Sequence, residues 1–327
     1  MTVRQSRLGM RYSGLQLGGA KISGQVEFDF FGGQSTLSNG VGFDLFRLRL
    51  ALGRVDWKNF SLVAGQDWSV FAPLNPTSLA GHAIPDFSAS GNPWIRSLQI
   101  RAEFRYARSD TTRAQFHIAA TDPNVGDNPA TFATVRTAGI GERGRLPAVD
   151  SRLAISDGGM TLGLSGHYSR GKNAGLVSTQ NIQAGVDSWG VAADYTIPLG
   201  KHFNLTGEAY EGRALGIFSS ASGESVLAVG TAGQHGVESR GGWAQLQANW
   251  NAKWQTNFAW GIDSMNARQL PVGNRNRTQT YTGNLIYKWS RFVSLAWEWR
   301  HFLTDFRNQE AANEQGDHAN MAVAFTF

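Results

Sequence analysis

The sequence predicts a single all-β domain, a transmembrane up-and-down antiparallel β-barrel of the sixteen-stranded type, on three observations. Stretches of about ten residues with period-two alternation, the length a tilted strand needs to cross a bilayer, recur from end to end. Tight turns alternate with long polar loops between those stretches, the asymmetry of barrels with short inner turns and long outer loops. No run approaches the roughly eighteen uncharged apolar residues of a membrane helix, so a spanning structure has to be a closed sheet.

Composition agrees. Of 327 residues 41% are hydrophobic, with 39 Gly, 19 Phe, 11 Trp and 7 Tyr but only 9 Pro, which suits a turn-rich β protein with aromatics on its surface. The mean hydropathy of −0.29 is compatible with a membrane, because alternation hides the apolar half of each strand. Absence of Cys removes disulfides, Cys-ligated zinc and cysteine nucleophiles. The net charge of +5 is too mild to point to nucleic acid. Met1 to Ser6 lack the apolar core of a signal peptide, so an exported chain is numbered here from within its mature part.

Strand 2–13 sets Gln5, Arg7, Gly9 and Arg11 against Leu8, Met10 and Tyr12, and a Gly-rich turn, Ser13 to Gly19, follows. Strand 20–31 alternates Lys21, Ser23, Gln25, Glu27 and Asp29 with Ile22, Val26, Phe28 and Phe30. After loop 32–42, strand 43–54 sets Arg47, Arg49 and Ala51 against Phe46, Leu48, Leu50 and Leu52. A turn at 56–59 leads to strand 60–70, and then comes the Pro-bearing loop 71–93. Strand 94–106 places Gln99, Arg101, Glu103 and Arg105 opposite Leu98, Ile100, Phe104 and Tyr106. The turn 109–112 reaches strand 113–121, where Arg113, Gln115 and His117 alternate with Ala114, Phe116 and Ile118, and loop 122–147 follows.

Strand pairs 148–156/160–169, 185–197/202–213, 241–250/254–264 and 279–289/292–302 repeat the rhythm around tight turns, with longer segments 170–184, 214–240, 265–278 and 303–317 between them. The last strand, 318–327, turns Ala319, Met321, Val323, Phe325 and Phe327 one way and His318, Asn320 and Thr326 the other. Its terminal Phe resembles the assembly signal of bacterial outer-membrane barrels. Trp57, Trp94, Trp189, Trp250, Trp254 and Trp289 stand near strand ends, where interfacial girdles belong.

About fifteen strands are present, whereas bacterial single-chain barrels have an even number. Strand 2–13 runs from the loop rim to the turn rim, so the expected first strand lies upstream of Met1. The rivals are a strand hidden at Thr131 to Thr137 and a barrel that closes with fewer or irregular strands. No composition break divides the chain, so 1–327 reads as one domain.

Four segments carry a resemblance: Arg4-Gln-Ser-Arg-Leu-Gly-Met-Arg11, Glu27-Phe-Asp-Phe-Phe-Gly-Gly33, Leu45-Phe-Arg-Leu-Arg49 and Val63-Ala-Gly-Gln-Asp-Trp-Ser69. With Arg145-Leu-Pro147 and Arg152 they resemble the motifs of DcaP-like trimeric porins, densely over the first half and by rhythm over the second. The resemblance implies sixteen strands, a homotrimer in outer-membrane lipid and lipopolysaccharide, and uptake of small anions such as dicarboxylates. In that family a further strand, often after a coiled-coil region, precedes the first of these segments. Ala148 stands where an acidic residue often follows the Leu-Pro pair, which leaves the substrate open.

If the apolar faces meet lipid, the opposite faces line water. That side carries Arg7, Arg11, Lys21, Arg47, Arg49, Arg101, Arg105 and Arg113 early in the chain, with Arg152, Lys288 and Arg300 later. A basic wall attracts anions, and the guanidinium fork fits carboxylate and phosphate. Arg47 and Arg49 are the first candidates for solute contact, then Arg101 and Arg105. Glu27, Asp29, Glu103, Asp194, Glu208, Asp263 and Glu298 share the face, so an internal salt-bridge ladder is the competing expectation. Loops 71–93 and 122–147, the second with Arg136, Arg143 and Arg145, either fold inward or pack over the mouth. Gln66, Arg4 and Ser6 fall on the apolar side, which implies shelter at a subunit interface or, for Gln66, a bulge after Gly65.

Enzyme, metal and cofactor motifs are missing: seven His are scattered without ligand spacing, and Gly163-Leu-Ser-Gly166 with His167 lacks a catalytic context. Two other classes stay open, a plugged structural or receptor barrel and a soluble secreted β-sheet binding protein.

Overall fold

The computed structural model describes residues 3–327 except 33, 37–41, 82, 128–137, 178, 219–224, 229, 231–235 and 310–311. The strands are β1 (Arg7–Leu17), β2 (Ala20–Asp29), β3 (Gln34–Thr36), β4 (Gly42–Asp44), β5 (Arg47–Asp56), β6 (Phe60–Trp68), β7 (Arg96–Ala107), β8 (Arg113–Thr121) and β9 (Ala148–Asp157). They continue as β10 (Met160–Val177), β11 (Gln180–Leu199), β12 (Phe203–Arg213), β13 (Glu238–Asn249), β14 (Trp254–Met265), β15 (Arg275–Lys288), β16 (Val293–Phe306) and β17 (Glu314–Phe325). Fifteen of them form one sheet in chain order, each antiparallel to the next, while β3 and β4 make a small hairpin within the β2–β5 connection. One short helix, α1 (Ile140–Gly144), interrupts the β8–β9 connection. The rival strand position, Thr131 to Thr137, and Arg136 within it lie outside the described residues.

The sheet is one layer thick. Its outer face exposes Leu98 (58%), Ile100 (67%), Leu164 (63%) and Phe258 (65%), with no second layer over them among the described residues. A soluble sandwich would bury such rows against a partner sheet. Trp57, Trp250, Trp254 and Trp289 ring the rim of tight turns, while Trp68, Trp94 and Trp189 stand toward the rim of long loops. The sheet is not closed: β1 and β17 are its ends. Both run from the loop rim to the turn rim, so they are parallel and cannot pair antiparallel with each other.

Two bulges preserve the faces where the alternation slips. In β1 the register shifts between Ser13 and Leu15 at Gly14 (φ 122°), which keeps Leu8, Met10, Tyr12, Leu15 and Leu17 on the outer side. In β5, Phe28 faces Leu48 and Glu27 faces Leu50, so Arg49 is the extra residue. Beyond it the expected assignment reverses: Leu50, Leu52 and Arg54 turn inward, and Ala51, Gly53 and Val55 turn outward.

Two regions depart most from the expected boundaries. Strand 2–13 shifts to 7–17 because the segment before it is diverted to the interior: Gln5 donates to the Ala80 carbonyl (2.8 Å) and accepts from the Ala83 amide (3.0 Å). Arg4 and Ser6 therefore precede the strand instead of facing lipid from within it. Segment 170–184 is a continuation of β10 and β11, paired as far as Val177 and Gln180. Backbone pairing persists above the apolar band because a hairpin needs no hydrophobic face to satisfy its own N–H and C=O groups.

Gln66 needs neither shelter invoked for it. No register shift occurs in the pairing of β6 with β5 or β7. The Gln66 amide donates to the carbonyls of Leu48 (2.9 Å) and Arg49 (3.0 Å), groups that the Arg49 bulge takes out of the ladder. Gly65 permits the approach: at φ 128°, an added Cβ would lie 2.1 Å from the Ala51 carbonyl oxygen.

Gln66→Leu strands two carbonyls in an apolar setting and is expected to cost about 1–3 kcal/mol, read as a lower unfolding temperature by heat-modifiable gel mobility. Gly65→Ala is expected to be worse, because both the conformation and the space are denied to it. Parent-like unfolding of Gln66→Leu would refute this account of the bulge.

Candidate functional site

The connection 69–95 lies on the concave side of the sheet, hydrogen-bonded to one strand after another. Ser69 Oγ donates to Asp150 of β9 (2.8 Å), and the Ala72 amide to Ser165 of β10 (3.2 Å). The Leu74 amide reaches Glu208 of β12 (2.6 Å). Thr77 exchanges bonds with Gln245 of β13 (2.9 and 3.2 Å) and accepts from Asn284 of β15 (3.0 Å). Ser78 Oγ donates to Glu298 of β16 (2.5 Å). The Ala83 carbonyl then accepts from Arg47 (2.9 Å) and Arg49 (3.3 Å) of β5. Asp86, three residues on, pairs with Arg300 of β16. Strands near opposite ends of the sheet thus meet across one loop, which is possible only if the sheet curls nearly into a ring. Of the two expectations for loop 71–93, inward folding is the one observed. Apolar contacts secure it too: Phe71 packs on Phe218, Leu215 and Tyr210, and Phe87 stacks on Trp243.

The arginines read from the sequence are on this side, threaded with carboxylates. Arg47 holds Asp29 (2.5 Å), and Arg49 holds Glu27 (2.6 Å) and Asp29 (2.9 Å). Arg101 bridges Asp67 and Glu103 (2.8 Å each), and Arg105 lies 3.8 Å from Asp56 and Glu103 while donating to Ser61 (2.6 Å). Arg152 takes Asp194 in a forked pair (2.8 and 2.6 Å), and Arg300 is shared by Glu298 and Asp86. The expected salt-bridge ladder is therefore present. Arg7 and Arg11 are exposed on β1, and Arg113 is exposed at the turn rim beside the Asp110 carbonyl (3.5 Å).

Exposure separates these residues more sharply than charge. Arg49 is 1% exposed, so it clamps the loop from within the wall. In several other pairs the carboxylate is the deeper member: side-chain exposures are 24% against 0% for Arg47 and Asp29, 29% against 6% for Arg105 and Glu103, and 17% against 1% for Arg300 and Glu298. The surface such pairs present is guanidinium.

Sequence reasoning missed Arg54, which the bulge turns inward to Asp56 (2.8 Å) and Glu103 (2.6 Å). His167, set aside in the sequence for want of a catalytic context, is buried, with Nδ1 facing Asp150 (2.6 Å) and Nε2 facing the Asn124 carbonyl (3.1 Å). Only the inward parity of His167 could have flagged it, since its partners come from distant segments. The described parts of loop 122–147 pack at the mouth: Asp127 accepts from Ser225 Oγ and N (2.6 and 2.8 Å), and Arg143 of α1 donates to the Lys172 carbonyl (2.8 Å).

No protein-family model matches the chain, and no curated protein matches it. Solved structures do. The outer membrane channel DcaP of Acinetobacter baumannii is 18% identical, with TM-score 0.69 over 99% of this chain and 86% of that one. An anion-selective porin from Comamonas acidovorans is 13% identical, with TM-score 0.54 over 98% and 87%. OmpT of Vibrio cholerae, an outer membrane protein in its trimer form, is 10% identical, with TM-score 0.58 over 98% and 91%. The chain has the porin fold.

Asp86 lies in the loop, outside the spanning strands. Burial raises its carboxyl pKa to about 7; Arg300 opposes the rise and Glu298 adds to it. Two carboxyls compete for one guanidinium, and Asp86 Oδ2 is buried with no hydrogen-bond partner among the described residues. The folded state therefore keeps a proton that the unfolded chain releases near the ordinary 3.8. Stability falls as pH rises between those values and levels off above. Asp86→Asn imitates the protonated form, so it is expected to gain on the parent in unfolding temperature from about pH 4 to about pH 7. Parallel profiles for the two proteins would contradict the assignment.

Proposed function

We propose that this protein is an outer-membrane porin, a passive channel for small hydrophilic solutes that prefers anions and assembles as a homotrimer. One observation carries the reading: a single-layer barrel wall, apolar outside, holds a loop docked across its charged interior. A soluble binding protein has no use for an apolar exterior, and a closed structural plug has no use for a wall of partly exposed guanidinium groups. The anion preference rests on the layering of the ion pairs. Solute meets Arg47, Arg105, Arg152 and Arg300 before Asp29, Glu103, Asp194 and Glu298 beneath them, while Arg7, Arg11 and Arg113 lie on exposed stretches of β1 and β8. Arg49 and Arg101 act mainly by fixing the wall and the loop. The porin fold and the anion selectivity of the Comamonas neighbour are consistent with this assignment.

The parallel ends of the sheet, β1 and β17, accommodate one ascending strand between them, which completes a sixteen-stranded barrel. In the assembled protein, amides of both strands should then be as protected from hydrogen exchange as those of β7. Fast exchange along either edge excludes such a strand.

Conductance across a planar bilayer tests the function itself. Under a roughly tenfold KCl gradient the reversal potential is expected to have the sign of chloride preference. Arg47→Ala and Arg105→Ala are each expected to weaken it, and dicarboxylates to reduce the current. Absence of conductance would favour the plugged barrel, and cation selectivity would overturn the arginine assignment. Native mass spectrometry is expected to show three protomers.

A further inference from the structure

One arginine faces the opposite way from those of the interior. Arg96 opens β7 at the loop rim and pairs in register with Trp68; two and four residues on, Leu98 and Ile100 lie on the outer face, so Arg96 faces outward as well. Its guanidinium lies 4.8 Å from the ring centre of Trp68 and 5.3 Å from that of Trp94. The two indoles are 6.1 Å apart, and Trp94 is fixed by a hydrogen bond from Nε1 to Ser88 (2.9 Å). Nη1 is buried and has no hydrogen-bond partner among the described residues.

Three other outward arginines at this rim are paired with carboxylates on the next strand. Arg170 lies 3.7 Å from Asp187, Arg213 lies 2.8 Å from Glu238, and Arg277 pairs with Asp305. Arg96 has no ion pair among the described residues, and neither does the exposed Asp122 beside Leu98. The groups whose fields it feels most are Arg49, Arg47, Asp29 and Arg7, three cations and one anion. Cation–π contact offsets part of the cost of desolvating a guanidinium but supplies no acceptor for its N–H groups. An anion approaching from outside would supply one.

We infer that Arg96, held against Trp68 and Trp94, is a binding site on the outer wall for the phosphate group of an outer-leaflet glycolipid. The level and the surroundings favour a lipid over a soluble anion. The site is at the loop rim, where indoles mark the boundary of the hydrocarbon, and Leu98 and Ile100 continue below it as a track for acyl chains. Arginine suits a phosphate better than lysine does because its planar fork donates two parallel hydrogen bonds. The inference rests on the outer-membrane assignment but not on conduction, so a barrel that fails to conduct can still bind lipid here.

The test uses the folded protein in detergent, with heat-modifiable mobility as the check on folding and native mass spectrometry as the readout. Bisphosphorylated lipid A, its dephosphorylated form and inorganic phosphate are the three probes. The parent is expected to retain lipid A over the dephosphorylated lipid, and Arg96→Gln to bind it about tenfold more weakly with conductance unchanged. Arg96→Lys keeps the charge without the fork, is expected to fall between them, and serves if Arg96→Gln does not fold. Equal retention of lipid A by parent and variant overturns the site. Displacement of lipid A by inorganic phosphate alone overturns the lipid assignment, and loss of the trimer with lipid binding intact places a partner carboxylate there instead.

Discussion

A wall one strand thick has no core behind it. Every backbone N–H and C=O must be paired along the sheet, because hydrocarbon on one side accepts no hydrogen bonds and water on the other is not to be admitted between strands. The alternating side chains, the antiparallel order and the absence of a second layer all follow from that demand. Where the ladder breaks, something has to replace it. At the Arg49 bulge the replacement is the Gln66 amide, an uncharged donor that reaches two carbonyls from the lipid-facing side of the next strand.

The interior replaces a core by other means. The connection 69–95 is tied to the wall through side chains of β9, β10, β12, β13, β15, β16 and β5, nearly a full circuit. Many anchors are buried polar groups: Asp150, Glu208, Gln245 and Glu298. Such groups are costly to bury unless satisfied, and here the loop supplies their partners, so the wall polarises the loop and the loop neutralises the wall. The arrangement braces the ring against distortion and divides its cross-section.

Ion pairs within the wall have a double consequence. Removing one partner of a buried pair leaves the other uncompensated, so the pairs fix side-chain positions even where their net contribution to stability is small. Layering then decides which member of a pair is exposed. Asp29 and Glu298 are buried beneath Arg47 and Arg300, so guanidinium is the more exposed group in those pairs. Formal charge counting along the strands is blind to this depth.

Alternation in the sequence determined the barrel class, the number of strands in the main sheet and the alternation of turns with loops, because a period of two is a local property that each strand expresses alone. It also determined that Arg47, Arg101, Arg152 and Arg300 share one face with their carboxylates. The Arg49 bulge was decided by tertiary structure, since one extra residue in β5 is visible only against β2; Leu50 and Leu52 were misassigned and Arg54 was missed for that reason. The course of loop 69–95 was likewise decided by folding: Ser78 and Glu298 are 220 residues apart, and no local pattern couples them. Which side of each ion pair faces solvent was settled last, by how deeply the curled wall and the loop bury each carboxylate.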